Sequence, residues 1–397
     1  MNRDDFEILN SGIIYFDNGA TTLKPKCMIE EITKYYNEYT ANIHRGDYDN
    51  SLKVDTIYEK VRDKVRDFIH ANKSKEIVFT AGTTDSLNRV VFGFMKHKLV
   101  AGDEVLITKA EHASNILPWV ELAKEMGIII KYIPLDNHLV TVDNVLSSIT
   151  SKTKVISLAH VTNVLGDERP IKEIGKICRE KNIYFVVDGA QSVPHMKVDV
   201  QDLNIDFLGF SAHKMLGPTG VGVLYGKEEL LEELKPTIVG GGMNSTFDSE
   251  GDVEYKSLPS RLEAGTPNIA GVIGMGAVID YLSSIGMDKI REYEYMLKNY
   301  LISELEKIDN IIIYNKDIPS GIVAFNVDGV FSQDTAIYLN HYHICVRAGN
   351  HCAKILKEDL NVKNTCRISF YLYNTKEEID KVVRVLKDSK DIFKVVL

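Results

Sequence analysis

Cysteine is scarce in this chain. Five occur among 397 residues, at Cys27, Cys178, Cys345, Cys352 and Cys366, odd in number and with no CxxC spacing. That pattern argues against a disulfide framework and against a Cys-rich zinc site, so no metal centre is expected. Free thiols suit a reducing cytoplasm, which is the expected location. Long apolar runs are also missing. None approaches the roughly 20 residues a bilayer-spanning helix needs. The opening MNRDDFEILNSG has no basic start followed by an apolar stretch, so neither a secretory leader nor a membrane partner is expected. A basic excess is lacking too: the formal net charge is −9. Nucleic acid is therefore not expected as a partner, because phosphate backbones select basic faces. A small anion held by a few local donors stays open. Internal repeats and low-complexity linkers are absent.

What is present is an ordinary globular composition, 44% hydrophobic and 26% charged. The length suggests two domains, or one large domain with a smaller one attached. From about residue 75, apolar runs alternate with amphipathic stretches. EIVFT, DEVLIT, IIIKYIP, KVISLAH, YFVVDG, DFLGF and VGVLY read as strands; TTDSLNRVVFGFMK, NILPWVELAKEMG and IKEIGKICREKN read as helices. Continuous short apolar runs suit strands covered on both faces. The alternation predicts an α/β domain with a mainly parallel sheet. After about residue 285 the texture changes. A long helical pattern leads to IVAFNVDG, HICVRAG and CRISFYLY as strands and KEEIDKVVRVLKD as a closing helix. This predicts a large α/β domain over 30–285 and a smaller α+β domain from 1–29 and 286–397.

In parallel sheets, ligands gather at the carboxyl ends of strands. Those positions hold AGTTDSLN with Thr83 and Thr84, KAEHASN with His112, and VTNVLG with Asn163. They also hold DGAQS with Asp188 and Gln191, then SAHK with Ser211, His213 and Lys214. Each has an ordinary reading. Thr caps helices, a loop His is usually solvated, and Asp at a strand end can cap the next helix. A lysine between two apolar runs usually sends its amine to water. Together they offer an anion cradle, a carboxylate for a protonated ring nitrogen, and an amine able to condense with an aldehyde. Pyridoxal 5'-phosphate (PLP) is the cofactor that needs this set.

FDNGAT, GTTDSLN, EHASN, HVTNVLG, VDGAQS, SAHKMLGPTGVGVLYG, EAGTPN and VRAGNHCA follow one another along nearly the whole chain. In that order they resemble the class V aminotransferase-fold PLP enzymes. Within these, the sequence is most similar to the cysteine desulfurases of the group II, SufS-like branch. The resemblance implies PLP-dependent transferase fold type I, with a large domain on a seven-stranded, mainly parallel sheet. The smaller C-terminal α+β domain would carry a catalytic cysteine loop.

It further implies Lys214 as the Schiff-base lysine, Asp188 against the pyridine nitrogen, Gln191 against the ring hydroxyl and His112 on the ring face. Thr83, Thr84, Ser211 and His213 would hold the phosphate, joined by Thr266 from a neighbouring subunit, hence a homodimer. Arg367 would clamp the substrate carboxylate with help from Asn163; Arg347 and His44 would line the site. Cys352 would be the nucleophile. Its segment RAGNHCAK is polar, with Arg347, His351 and Lys354 near in sequence, and adjacent cations favour a thiolate. The implied reaction converts L-cysteine to L-alanine with a persulfide on Cys352. That sulfur would pass to an acceptor protein of the SufE or SufU kind, toward iron–sulfur cluster assembly. Asn350 departs from the branch, which has His there. The alternatives are a selenocysteine lyase, a sulfinate-releasing enzyme or an aminotransferase on the same scaffold, and, in another class, a non-catalytic scaffold subunit.

Overall fold

The computed structural model describes residues 2–44 and 46–388. In chain order the first elements are β1 Ile14–Tyr15, α1 Lys26–Glu38, α2 Asp49–Phe68, β2 Ile77–Thr80 and α3 Thr83–Asn88. There follow β3 Glu104–Ile107, α4 Leu117–Met126, β4 Ile129–Tyr132, α5 Val142–Ser148, β5 Thr153–Ala159, α6 Ile171–Lys181 and β6 Tyr184–Asp188. Next come β7 Phe207–Ser211, β8 Gly222–Gly226, α7 Glu228–Glu233, the hairpin β9 Asn244–Phe247 and β10 Val253–Tyr255, α8 Ile269–Ile285 and α9 Met287–Leu305. The last are β11 Ile311–Ile313, β12 Ile322–Val327, α10 Ser332–His341, β13 Ile344–Cys345, β14 Arg347–Gly349, α11 Lys354–Asp359, β15 Thr365–Ser369 and α12 Lys376–Lys387.

Seven strands form one sheet in the order β2-β8-β7-β6-β5-β3-β4. Only β8 runs against its neighbours; the rest pair in parallel. The expected α/β sheet is thus present. The apolar runs are continuous because both faces are covered. Val105, Ile107 and Val186 pack on one side with Trp119, while Leu106, Phe185 and Val187 face the opposite cluster. That is the two-residue alternation of a pleated strand. Each such side chain contributes about 1.5–3 kcal/mol on burial. IIIKYIP differs: as edge strand β4 it leaves Ile129 43% and Tyr132 39% exposed.

Two further expectations need correction. The helix over TTDSLNRVVFGFMK is α-helical only through Asn88, then widens into a π-type turn over Arg89–Phe94. There the Gly93 carbonyl accepts from the Lys235 N–H at 2.9 Å. HICVRAG is not one strand. It breaks at Val346, so β13 pairs with β1 and β14 pairs with β15. A single apolar run can thus feed two sheets.

The second main sheet is β11-β12-β15-β14, all antiparallel. α9 and α12 cover it: Leu297, Leu301, Ile379, Val382 and Leu386 pack with Val323, Phe325 and Ile368. Ile14 and Phe16 join this cluster, whereas Phe6, Leu23 and Met28 pack with the core beneath the large sheet. Among the described residues no single helix is long and apolar enough to cross a membrane. α8 and α9 pass together only as a pair bent by 75°, and α8 is largely buried inside the protein.

Candidate active site

β2 is antiparallel to β8, and β8 is antiparallel to β7. The C-terminal ends of β2, β3, β5, β6 and β7 therefore share one rim. That topology brings together what the sequence scatters. A cavity of about 230 Å³ opens there, lined by Thr83, Thr84, His112, Asn163, Asp188, Gln191, Ser211, His213 and Lys214. The second sheet closes it with Arg347, His351, Cys352 and Arg367.

Lys214 ends a short 3-10 turn directly after β7. Its side chain lines the cavity. Burial lowers its pKa to about 8, Asp188 opposes that shift, and Arg367 and Arg347 reinforce it. Asp188 is 4% exposed; burial raises its pKa and Lys214 pulls it down. Its Oδ1 accepts from the Ala190 N–H at 2.9 Å. Gln191 donates to the Gly19 carbonyl at 2.7 Å and leaves its buried Oε1 without a partner.

His112 Nδ1 accepts from the Ser114 N–H at 3.1 Å, which assigns the ring proton to Nε2. Burial, then Lys214, Arg367 and Arg347, depress its pKa to about 4, so the ring is neutral at pH 7. Glu111, one residue earlier, is wholly buried. It pairs with the equally buried Arg169 and accepts from the Ala159 N–H at 2.7 Å and Asn115 at 2.9 Å. This brace fixes the turn that carries His112. Hydroxyls crowd the β2 end: Ser211 Oγ lies 2.7 Å from Thr83 Oγ1 and accepts from the Thr83 N–H at 2.8 Å. Thr84 Oγ1 lies 2.7 Å from Ser114 Oγ. The His213 imidazole is likewise held neutral, its pKa lowered to about 4 by burial, Lys214 and Lys24.

Arg367, on β15, is 1% exposed. It donates to the Asn163 carbonyl at 2.7 Å and to Asp17 at 3.0 Å, and its buried Nε has no partner. Asp17 also faces Arg347 at 3.7 Å. Gly19 is needed here: a Cβ would lie 2.9 Å from the Arg367 guanidinium carbon. Asp17, Gly19, Glu111, Arg169 and Ser114 brace the residues that line the cavity, and the sequence alone does not single them out. Asp17, Gly19, Glu111 and Ser114 lay inside the quoted motifs FDNGAT and KAEHASN; Arg169 lay in none. No periodicity marks such residues.

Cys352 is exposed at the cavity edge. Cys366 is buried and donates to the Ser332 carbonyl. One expectation about the thiol's surroundings fails. His351 is no cation: burial, then Arg367 and Lys357, push its pKa down to about 2. Lys354 points to solvent from α11. Asn350 is exposed, and its carbonyl accepts from the Ala353 N–H at 2.9 Å.

Two expected residues lie outside this chain's cavity. Thr266 is exposed and accepts from Asn42 at 3.3 Å. His44 does not line the cavity within the chain, contrary to expectation. Asp55 accepts its backbone N–H at 2.7 Å, and its ring lies 3.6 Å from Asp55 and 3.8 Å from Glu59. Among the described residues, no group of three or more His, Cys, Asp or Glu is placed to hold a metal ion.

The family model described as aminotransferase class-V matches residues 14–382. A probable cysteine desulfurase of Halalkalibacterium halodurans is 44% identical over 390 residues, covering 98% of this chain and 96% of that protein. The apo structure of a cysteine desulfurase from Thermococcus onnurineus superposes with a TM-score of 0.93 at 39% identity, covering 97% of this chain and 96% of that one. The cysteine desulfurase CsdA of Escherichia coli, solved in an S-sulfonic acid form, gives 0.93 at 35% identity, with 98% of each chain covered.

Proposed function

The chain belongs to the aminotransferase class-V family, and we propose that it is a PLP-dependent L-cysteine desulfurase of the group II kind. The observation that carries this reading is one cavity holding both Lys214 and Cys352, with Asp188 and Arg367 beside them. PLP is the cofactor, and the residues fit it. The donor set is an amine, a buried carboxylate, a neutral histidine and a group of hydroxyls at a strand end. Gln191, which lines the same cavity, keeps an unpartnered buried oxygen. Lys214 would hold the aldehyde carbon, Asp188 the ring nitrogen, and Thr83, Thr84, Ser211 and His213 the phosphate.

When bound, PLP supplies an electron sink for the pair released at the substrate α carbon. The chain's own residues do the rest. Arg367 holds the cysteine carboxylate; a guanidinium suits that fork-to-fork contact. Asn163, whose carbonyl Arg367 already grips, keeps that guanidinium in place. Lys214, with a pKa near 8, takes the α proton as a base and returns a proton afterwards. His112, neutral with its proton on Nε2, would stand beside the cofactor and move protons within the cavity. Cys352 attacks the substrate sulfur as thiolate. The S–S bond forms as Cβ–S breaks, and Cβ gains a proton. Cysteine plus the Cys352 thiol thus become alanine plus a Cys352 persulfide. The persulfide then passes to an acceptor protein, for iron–sulfur cluster assembly.

The test is mass spectrometry of the Cys352 peptide after incubation with L-cysteine. One added sulfur atom is expected on Cys352. Sulfide release without that adduct, under conditions that preserve persulfides, would exclude this route.

The same reading includes a homodimer. Thr266 sits exposed and away from its own chain's cavity, which is where a residue serving a neighbour's phosphate would be. Sedimentation should give twice the chain mass of 44.7 kDa; a single-chain mass would remove Thr266 from the site.

A further inference from the structure

Lys357, on α11, is 4% exposed. Its ammonium donates to Thr365 Oγ1 at 2.7 Å. Among the described residues, the charged neighbour that acts on it is Arg367, a second cation. A buried ammonium with no carboxylate beside it is costly, and a methionine of similar volume would be cheaper. Fold stability therefore does not account for the lysine. What it touches does.

Thr365 Oγ1 lies 2.9 Å from His351 Nε2, and the Thr365 carbonyl lies 3.0 Å from the same nitrogen. A carbonyl only accepts, so Nε2 carries the proton and the ring is anchored on β15 in one tautomer. His351 and the next residue, Cys352, have φ of 52° and 56°. Two consecutive non-glycine residues in the left-handed region persist only where the surroundings over-determine them. On the cavity side, the His351 carbonyl accepts from Asn163 at 2.6 Å and the Cys352 carbonyl from the Ala113 N–H at 2.8 Å. On the far side the anchor is the His351 ring on Thr365, and Lys357 holds Thr365.

We propose that Lys357 is a positioning residue for the nucleophile: through Thr365 and His351 it holds the left-handed turn that presents Cys352 to the cavity. This rests on reading Cys352 as the nucleophile.

The test uses the PLP-loaded, full-length enzyme and Lys357→Met. The cofactor's visible spectrum should be unchanged, and Tm equal or higher, because a buried charge is removed. kcat should fall about 10- to 100-fold, the scale on which an ångström of misplacement acts. KM should stay within about twofold, as expected when ground-state binding is untouched. The rate of iodoacetamide labelling at Cys352, read by peptide mass spectrometry, should shift several-fold. Thr365→Ser, which keeps the hydroxyl, should retain the wild-type kcat. Adding Thr365→Val to Lys357→Met should cost little more than Lys357→Met alone, since the two act in one chain. Wild-type kcat and labelling in Lys357→Met would overturn the proposal. So would a parallel fall in Tm and kcat, the mark of a merely structural lysine. The labelling rate judges the anchor without turnover, whereas desulfuration by a Cys352→Ala variant judges the reading beneath it.

Discussion

Cys352→Ala should cut sulfur removal from cysteine by about three orders of magnitude or more, a conservative figure beside the roughly million-fold loss when a serine hydrolase loses its nucleophile. The visible spectrum of the bound cofactor should not change, because the residues that fit PLP lie on the large sheet's rim and Cys352 lies on the opposite wall. No other thiol can replace it. Cys366 is buried, and burial raises its pKa to about 12. Cys178 is buried in α6, with its thiol pushed far up. Burial also raises Cys27 and Cys345, neither of which lines the cavity. Selenocysteine is the informative second substrate. Selenium leaves carbon more readily, so its turnover should survive better in the same variant. Sulfide released from cysteine at the wild-type rate by Cys352→Ala would sink the persulfide step and turn attention to another class V chemistry on this scaffold.

The rim residues were legible in the sequence for a physical reason. Parallel strands covered on both faces must be apolar, so polar residues within a few positions of each run's end, Thr83, His112, Asn163, Asp188 and Lys214, mark where the chain leaves the core. Strand direction then places them together without any knowledge of side-chain contacts. What could not be read depends on packing between distant segments. Asp17 matters because it meets Arg367 and Arg347, 350 and 330 residues away. Glu111 matters because Arg169 closes on it inside the core. The break at Val346 follows from two sheets competing for one run, and no local propensity reports that. His351 was read as a cation because sequence shows its identity, not its burial; enclosed against Thr365, it is neutral.

Lys214→Ala should abolish the visible band of lysine-bound cofactor and reduce turnover about ten-thousand-fold or more, the upper range for a lost general base. The expectation comes from the setting rather than from the residue type. An exposed lysine near its ordinary pKa would be almost fully protonated at pH 7 and a poor base. Lys214 is enclosed, and burial together with Arg367 and Arg347 lowers it to about 8. Asp188 works in the opposite direction and keeps the shift from going further. The amine therefore sits where a modest fraction is neutral near pH 7 and proton return is still easy. Replacing it removes the attachment point and the base in one step, so the losses do not add as separate contributions. Free PLP should still enter, since the hydroxyls, Asp188 and Gln191 remain. Spectrophotometry of the purified variant, with and without added PLP, separates a protein that binds cofactor without attachment from one that does not bind at all. Wild-type turnover without Lys214 would mean that the chemistry runs elsewhere, and the cavity at the rim of the large sheet would lose its assigned role.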